Sequence, residues 1–422
     1  MGTSLGKIFA FLGYQVNYEY YVNDSGHQID LLASSVFYYY LQIIDPDFKL
    51  KFSENFYHGR IYYHLAKKIS DQYQDKFKDS TIKDDIIVNK DIRIFFQKYS
   101  KNFFLTKIQQ EIKKLKIKID FFRYESTVYH DQTIFLILNN YQKNNNLLIK
   151  NNATFLKTTK FNDVKDRVLI KQDHSYTYLL PDIASHYQRI KTNKEVELFL
   201  DFVGADHHDY AKRMIISLKL LNLNLAMPVY KIIQMVKLKK NDVVSKISKR
   251  KGNIIFFKDL SKFLSISTIN YMMVSKLSSS QLILDLDLLK QQANNNPIFY
   301  IHYACARIFQ LFKAANFDFK QVKIKNIDFL QLNHELEIKI INKLHFFEFN
   351  LQKAALKLEP SIICNYLYEL VKLFHIYYSK VKILNNNHQN LTTTRLIFIR
   401  TIQIIIKICL KLINVIYKQK MY

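Results

Sequence analysis

A chain of 422 residues that is 49% hydrophobic and 23% charged has room for two or three domains with real cores and is no disordered tail. Its 62 Lys+Arg against 36 Asp+Glu leave a formal net charge of +26, a positive field that draws polyanions, chiefly nucleic acid or an anionic membrane. Part of that excess is compositional drift: Lys crowds every segment together with Asn, Ile, Phe and Tyr, all with A/T-rich codons, while Gly totals 7, Pro 5 and Trp 0.

Leu5, Ile8, Phe9 and Leu12 follow helical spacing, with Gly13 placed as a C-terminal cap. Val16 to Val22 reads as a strand ending at the turn Asn23-Asp24-Ser25-Gly26, so the chain opens as an αβ unit without its first strand. Residues 28–116 are mostly helical. A strand-rich stretch follows over 119–160, with the Asn clusters at 139–140 and 144–146 marking its turns. From Asp166 strands and helices alternate: strand 167–171, helix 180–190 with Pro181 in its first turn, strand 197–203, helix 210–221 and strand 232–238. That alternation predicts a parallel sheet of Rossmann type. Beyond Leu260 nothing strand-like of any length remains, and helices at 281–293, 297–315, 327–357, 360–380 and 393–418 predict an all-helical bundle.

Cys305, Cys364 and Cys409 lie too far apart for a metal knuckle or a disulfide framework, which fits a reducing cytoplasm. Met1-Gly2-Thr3-Ser4 lacks the basic start and apolar core of a signal peptide. The stretch Leu396 to Tyr417 is broken by Arg400, Gln403, Lys407 and Lys411 on one helical stripe, so it reads as an amphipathic helix packed on protein and not as a membrane span.

The sharpest local signal is Lys246-Ile247-Ser248-Lys249-Arg250-Lys251-Gly252-Asn253, between the apolar runs Gln234-Met235-Val236 and Ile254-Ile255-Phe256-Phe257. Four cations around a Ser and a closing Gly-Asn suit a polyphosphate, although most charge runs are only solvated. This segment resembles the second signature of class I aminoacyl-tRNA synthetases, Lys-Met-Ser-Lys-Ser, and its Lys-Arg-x-Gly-Asn ending is similar to the arginine-specific branch. Glu19-Tyr20-Tyr21-Val22-Asn23-Asp24-Ser25-Gly26-His27-Gln28 resembles that branch's Arg-Glu-Tyr-Tyr-Ile-Asn-Asp-Ala-Gly-Asn-Gln, with Tyr18 where Arg is usual. Asp166-Arg167-Val168-Leu169 with Thr177-Tyr178-Leu179-Leu180-Pro181-Asp182-Ile183-Ala184 is similar to its arginine-pocket block. Gly204-Ala205-Asp206-His207-His208 resembles its nucleoside-binding turn, and Asn295-Asn296-Pro297 through Tyr303-Ala304-Cys305-Ala306-Arg307 the opening of its anticodon-binding domain. Five blocks in the family's order cover nearly the whole chain.

The resemblance implies a Rossmann catalytic domain (1–61 and 161–258) with an insertion at 62–160, a helical connector at 259–295 and an anticodon-binding bundle at 296–422. It implies that Tyr178 and Asp182 bind the guanidinium of L-arginine, with Glu19 or Asn23 assisting, and that Asp206 holds the ammonium group. The pairing is sound chemistry, because a buried cation needs carboxylates and its planar donors need acceptors. Gly204, His207, His208, Lys246, Ser248 and Lys249 are implied for ATP, Lys246 and Lys249 being the catalytic cations on the pyrophosphate side. Mg²⁺ is expected on the phosphates, and Tyr303 and Arg307 are implied for tRNA. Adjacent histidines rarely converge on one ion, so His207 and His208 are read as nucleotide contacts, with no metal site. The implied activity is an arginine–tRNA ligase, a cytoplasmic monomer with no membrane stage. The family's first signature, His-x-Gly-His, precedes a helix resembling Gly2-Thr3-Ser4-Leu5-Gly6, and the chain begins after it; a start internal to a longer gene is expected. The alternatives are a degenerate enzyme acting only as a tRNA-binding protein and, disfavoured by Tyr178 and Asp182, another class I synthetase.

Overall fold

Helix α1 (Gly2–Phe11) buries Leu5 and Ile8 and gives way to Gly13, whose φ of +98° is the left-handed geometry its position predicts. The structure, a computed structural model, describes residues 1–222, 224, 226–245, 257–319, 325 and 327–420. Strand β1 (Glu19–Val22) is followed by α2 (His27–Ile44) and α3 (Arg60–Tyr73), then by a short hairpin of β2 (Ile82–Lys83) and β3 (Ile86–Ile87), and by α4 (Lys90–Lys114). These helices share one aromatic core in which Phe37 meets Phe96 edge-to-face at 4.9 Å and Tyr40 donates to the Gln74 carbonyl at 2.7 Å. The core runs from Ala33 to Phe96, across the expected boundary at 61/62.

Strand β4 (Phe121–Tyr124) leads to α5 (Thr133–Lys143), then β5 (Leu147–Lys150), β6 (Ala153–Leu156) and β7 (Arg167–Ile170). Two expectations are corrected in this region. Asn139 and Asn140 lie inside α5, because the helical spacing of Ile134, Ile137 and Tyr141, all buried, outweighs the weak helix preference of Asn. Asn145 does turn the chain (φ 52°), and Asn151 and Asn152 (φ 48° and 55°) make the hairpin between β5 and β6. Strand β7 pairs antiparallel with β6, so it does not extend the parallel sheet.

Then come α6 (Leu179–Thr192), β8 (Leu200–Gly204), α7 (His208–Lys219), β9 (Val229–Ile233), β10 (Val236–Lys240) and β11 (Val243–Ser245). The strand expected over 232–238 is two strands, divided where the Gln234 amide donates to the Ser278 carbonyl at 3.0 Å. Next are α8 (Phe257–Phe263), α9 (Ile266–Val274), β12 (Leu282–Asp285) and α10 (Leu286–Lys290). The expected helix 281–293 is therefore a strand and one short helix. Leu282 and Leu284 point inward while Ile283 stays exposed, and the register Val236 to Leu282 through Lys239 to Asp285 pairs β12 parallel with β10. Tertiary pairing decides a segment too short for its period to do so. The pairs β1–β4, β8–β9 and β10–β12 are all parallel, the Rossmann-type pattern expected.

The bundle contains α11 (Pro297–Ala314), α12 (Glu335–His345), α13 (Phe347–Leu356), α14 (Ser361–Lys380) and α15 (Gln389–Leu412). Asn296 caps α11 and Pro297 opens it, while the expected helix 327–357 breaks into α12 and α13 at Phe346. All three cysteines are buried and free in this bundle. Helix α15 turns Leu396, Ile399, Ile402 and Ile406 into the core; its polar stripe is narrower than expected, since Gln403 is buried and donates to the Tyr417 hydroxyl at 2.8 Å. No described helix is long and apolar enough to cross a membrane. The bundle is tied to the α/β layer by Glu359, which pairs with Lys231 at 2.8 Å and accepts from the Ser278 hydroxyl at 2.8 Å.

Candidate active site

Parallel strands of an α/β sheet present ligand sites at their C-terminal ends. Strands β1 and β4 run in register, Val22 beside Tyr124, so the residues that follow them emerge together. Asn23 thus comes beside Glu125, with its amide nitrogen 3.2 Å from the Glu125 carboxylate once the amide is oriented to satisfy its neighbours. Asp24 is buried and accepts from the Ser126 amide and hydroxyl, each at 2.8 Å, and from Lys101 at 3.0 Å. Burial would push its carboxyl up, but these donors together hold it below the usual range.

Helix α6 brings Asp182 to the same place. The Tyr21 hydroxyl donates to Asp182 Oδ1 at 3.0 Å, and the Tyr210 hydroxyl from α7 donates to its other oxygen. Tyr21 also lies against Glu125, so one phenolic proton faces two carboxyl groups and can serve only one as donor. Burial, relieved in part by Tyr21 and His207, raises the Asp182 carboxyl to about 6. Burial first, and then the charge of Asp182, raises Glu125 to about 7. Two carboxyl groups with raised affinity for protons, side by side, favour the approach of a cation. Tyr178, one helical turn before Asp182, is 60% exposed, with Gly26 (φ +77°) passing beside its ring.

Glu19 does not join them. Its carboxylate pairs with Arg123 at 2.9 Å and Arg189 at 3.5 Å, and Arg189 in turn grips Asp201 through two hydrogen bonds of 2.7 and 2.8 Å. His186 hydrogen-bonds Tyr230 at 3.0 Å in this cluster, and burial lowers its pKa to about 4, so it is neutral. Asp182, His186 and Arg189 are spaced four and three apart on α6, so the cluster continues the helix face that carries Asp182 and fixes it against β8.

At the end of β8, a Cβ on Gly204 would lie 2.6 Å from the Asp206 carboxylate, so glycine is what lets Asp206 fold back there. Asp206, His207 and His208 are exposed. The two histidines diverge: His207 packs edge-on against Tyr210, while His208 faces Asp209 at 3.6 Å. The structure thus brings Asn23, Tyr178 and Asp182 together, with His207 adjacent, and leaves Glu19 in the arginine cluster. Lys246, Ser248 and Lys249 lie outside the described residues. Glu125, Tyr21 and Tyr210 were not singled out from sequence. The available signal for Glu125 was its place directly after a strand, where Asn23 also stands.

Comparison with known proteins decides the family. Residues 1–272 match the model of the arginine-specific class I tRNA synthetase catalytic domain, and residues 301–421 the DALR anticodon binding domain. The chain belongs to the class I arginyl-tRNA synthetases. It is 36% identical to an arginine–tRNA ligase of Mesoplasma florum over 94% of this chain and 70% of that one. A Bacillus licheniformis arginine–tRNA ligase is 31% identical over 100% of this chain and 74% of its own length. A solved Campylobacter jejuni structure, described provisionally as an arginyl-tRNA synthetase, superposes with a TM-score of 0.86 at 27% identity, over 100% of this chain and 88% of that one.

In the anticodon binding domain, Tyr303 and Arg307 form one cluster. The Arg307 guanidinium lies over the Tyr303 ring at 4.3 Å and the Tyr378 ring at 5.0 Å, donates to the Tyr303 hydroxyl at 3.1 Å, and meets His375 at 2.9 Å. Burial, with the Arg307 charge, lowers the His375 pKa, which leaves its ring available as an acceptor for Arg307.

Proposed function

We propose that this chain is an arginine–tRNA ligase that activates L-arginine with ATP and passes the arginyl group to the 3′ end of arginine tRNA. The observation that carries the reading is the neighbouring pair Asp182 and Glu125, two carboxyl groups on either side of Tyr21, whose hydroxyl donates to Asp182. A guanidinium supplies a charge opposite to theirs, and its planar fork of donors meets both carboxylates, which a single phenolic proton cannot. Tyr178 covers the planar group and Asn23 holds Glu125. Asp206 takes the ammonium group, and Gly204 with His207 and His208 takes the nucleoside.

In the first step an arginine carboxylate oxygen attacks the α-phosphorus of ATP, the bond to the bridging β-phosphate oxygen breaks, and diphosphate leaves. Mg²⁺ is part of that substrate, arriving on the ATP phosphates. In the second step the terminal ribose hydroxyl of the tRNA attacks the arginyl carbonyl, AMP leaves, and the hydroxyl proton passes to phosphate or solvent. No side chain forms a bond to substrate. Catalysis is positioning and charge stabilisation, with Lys246 and Lys249 assigned to the departing diphosphate. Tyr303 and Arg307 are assigned to the tRNA. We also take the protein to act as a monomer in the cytoplasm without a membrane stage; light scattering on the purified chain tests the first point.

The test of activity is charging of arginine tRNA by the full chain with ATP and either arginine, citrulline or lysine. Charging is expected with arginine alone. Retained tRNA binding with no charging would instead leave a tRNA-binding protein without catalysis.

A further inference from the structure

Helix α1 and the end of α15 border an open surface cleft of about 250 Å³ lined by Lys7, Lys116, Lys407 and Lys411. It lies toward the opposite end of β4 from Asp182, since Lys116 precedes that strand and Glu125 follows it. The lysines come from three places in the chain: Lys7 from α1, Lys116 from the left-handed turn that ends α4 (φ 56°), and Lys407 and Lys411 from one face of α15.

The cleft is a built structure, not a gap among loose side chains. Its remaining wall is the segment Val415–Tyr417, fixed by the Val415 amide on the Leu410 carbonyl at 2.8 Å, by the Ile416 amide on Ser267 Oγ at 3.3 Å, and by the Gln403 amide on the Tyr417 hydroxyl at 2.8 Å. Asn414 closes the floor. It accepts from Lys7 at 2.6 Å and donates to the Leu115 carbonyl at 2.9 Å, joining α1, α4 and α15.

The lining contains no carboxylate. Lys7 donates to the Lys411 carbonyl at 3.2 Å as well as to Asn414, and Lys407 sits over the Tyr417 ring at 4.8 Å, so neither contact supplies a full negative charge. Burial and the Lys411 charge lower the Lys7 pKa, and burial with the Arg400 charge lowers that of Lys407. Four lysines thus line one cleft with no carboxylate among the lining residues, an arrangement that suits a multivalent anion. The volume corresponds to roughly eight waters, enough for one or two phosphate groups with part of their hydration.

We propose that this cleft binds phosphate groups, either of free inorganic diphosphate or of the tRNA backbone, and thereby clamps α1 to α15 across the junction of the catalytic and anticodon binding domains. The site is separate from arginine activation and does not depend on it.

The test uses the full chain and the double variant Lys116→Gln/Lys411→Gln. Those two side chains hold no hydrogen bond or ion pair among the described residues, so the fold does not depend on them. Inorganic diphosphate should raise the melting temperature of the parent beyond chloride at equal ionic strength, and the variant should need at least tenfold more diphosphate for the same rise. Binding of arginine tRNA across a salt series separates the two sources. If the cleft holds backbone phosphate, the slope of log K against log salt becomes shallower by about 0.7–0.9 for each phosphate no longer neutralised. If it holds the free ion, the slope stays and only the diphosphate response falls. Lys116→Arg/Lys411→Arg keeps both charges and should respond like the parent, which guards against a folding defect in the Gln variant. An unchanged diphosphate response together with an unchanged salt slope in the Gln variant overturns the proposal.

Discussion

Replacing Asp182 by Asn keeps the side-chain volume and one acceptor but deletes the charge. Tyr21 and Tyr210 both donate to this carboxylate, so one of them must turn its hydroxyl to accept from the new amide. With arginine bound, the variant leaves the guanidinium with Glu125 alone in a partly dehydrated site. Removing one partner of a buried hydrogen-bonded charge pair costs about 2–5 kcal/mol, which is roughly a 30- to 5,000-fold weaker hold on arginine. Glu125, raised to about 7, loses the neighbouring charge that helps to raise it and ionises more readily, which places the expected loss toward the lower end. ATP affinity should stay within a few-fold. Citrulline, nearly the same shape but uncharged, should be rejected less well by the variant than by the parent. Arginine-dependent ATP–diphosphate exchange with tRNA present, competed with citrulline, reads both numbers, and a melting curve accompanies it. Asp182 sits in the first turn of α6, and its two carboxylate oxygens accept from Tyr21 and Tyr210. A helix-end role alone would lower the melting temperature and leave the arginine-to-citrulline ratio untouched. That pattern would refute the assignment.

Three further outcomes are expected. Asp182 and Glu125 have folded-state pKa values of about 6 and about 7, above their ordinary values, so their contribution to stability is complete in acid and is lost as pH rises through 6 to 7. The urea midpoint of the parent minus that of Asp182→Asn/Glu125→Gln should therefore fall between pH 5 and 8, a difference that cancels His186 and His302; arginine should abolish the fall. Lys249→Ala should lower exchange by on the order of a hundredfold with arginine affinity nearly unchanged, because a cation engaged mainly in the transition state raises rate and not ground-state binding; exchange within a few-fold of the parent would return that loop to a solvated charge run. Asn414→Ala removes partners of Lys7 and Leu115 and strains a left-handed backbone (φ 61°), so it should cost about 2–3 kcal/mol in denaturant unfolding, and Asn414→Gly clearly less strain.

Much of this protein was legible in the order of its residues. The blocks around Tyr21, Asp182, Gly204 and Arg307 carry the family, because the chemistry of arginine and of phosphate fixes residue types at fixed spacing. The helices with strong amphipathic period, α6, α7, α11 and α14, stand close to their expected bounds. Short elements were a different matter. Leu282 to Asp285 has too few residues for its period to tell strand from helix, and only the exposed edge of β10 made it a strand. Asn139 and Asn140 sit in a helix because buried neighbours on α5 outweigh a small local preference. The site divides in the same way. The family resemblance named Tyr178 and Asp182, which helical spacing by itself would leave as an ordinary helix start. It offered Glu19 or Asn23 beside them; Asn23 stands next to Glu125, whereas Arg123 and Arg189 hold Glu19 elsewhere. It missed Glu125, which lies more than a hundred residues from Tyr21 in the chain and reaches it only because β1 and β4 pair in parallel register. Residue type and local period are properties of the sequence itself, whereas the meeting of two carboxyl groups on one phenol depends on which strand edges pair, and only the folded chain decides that.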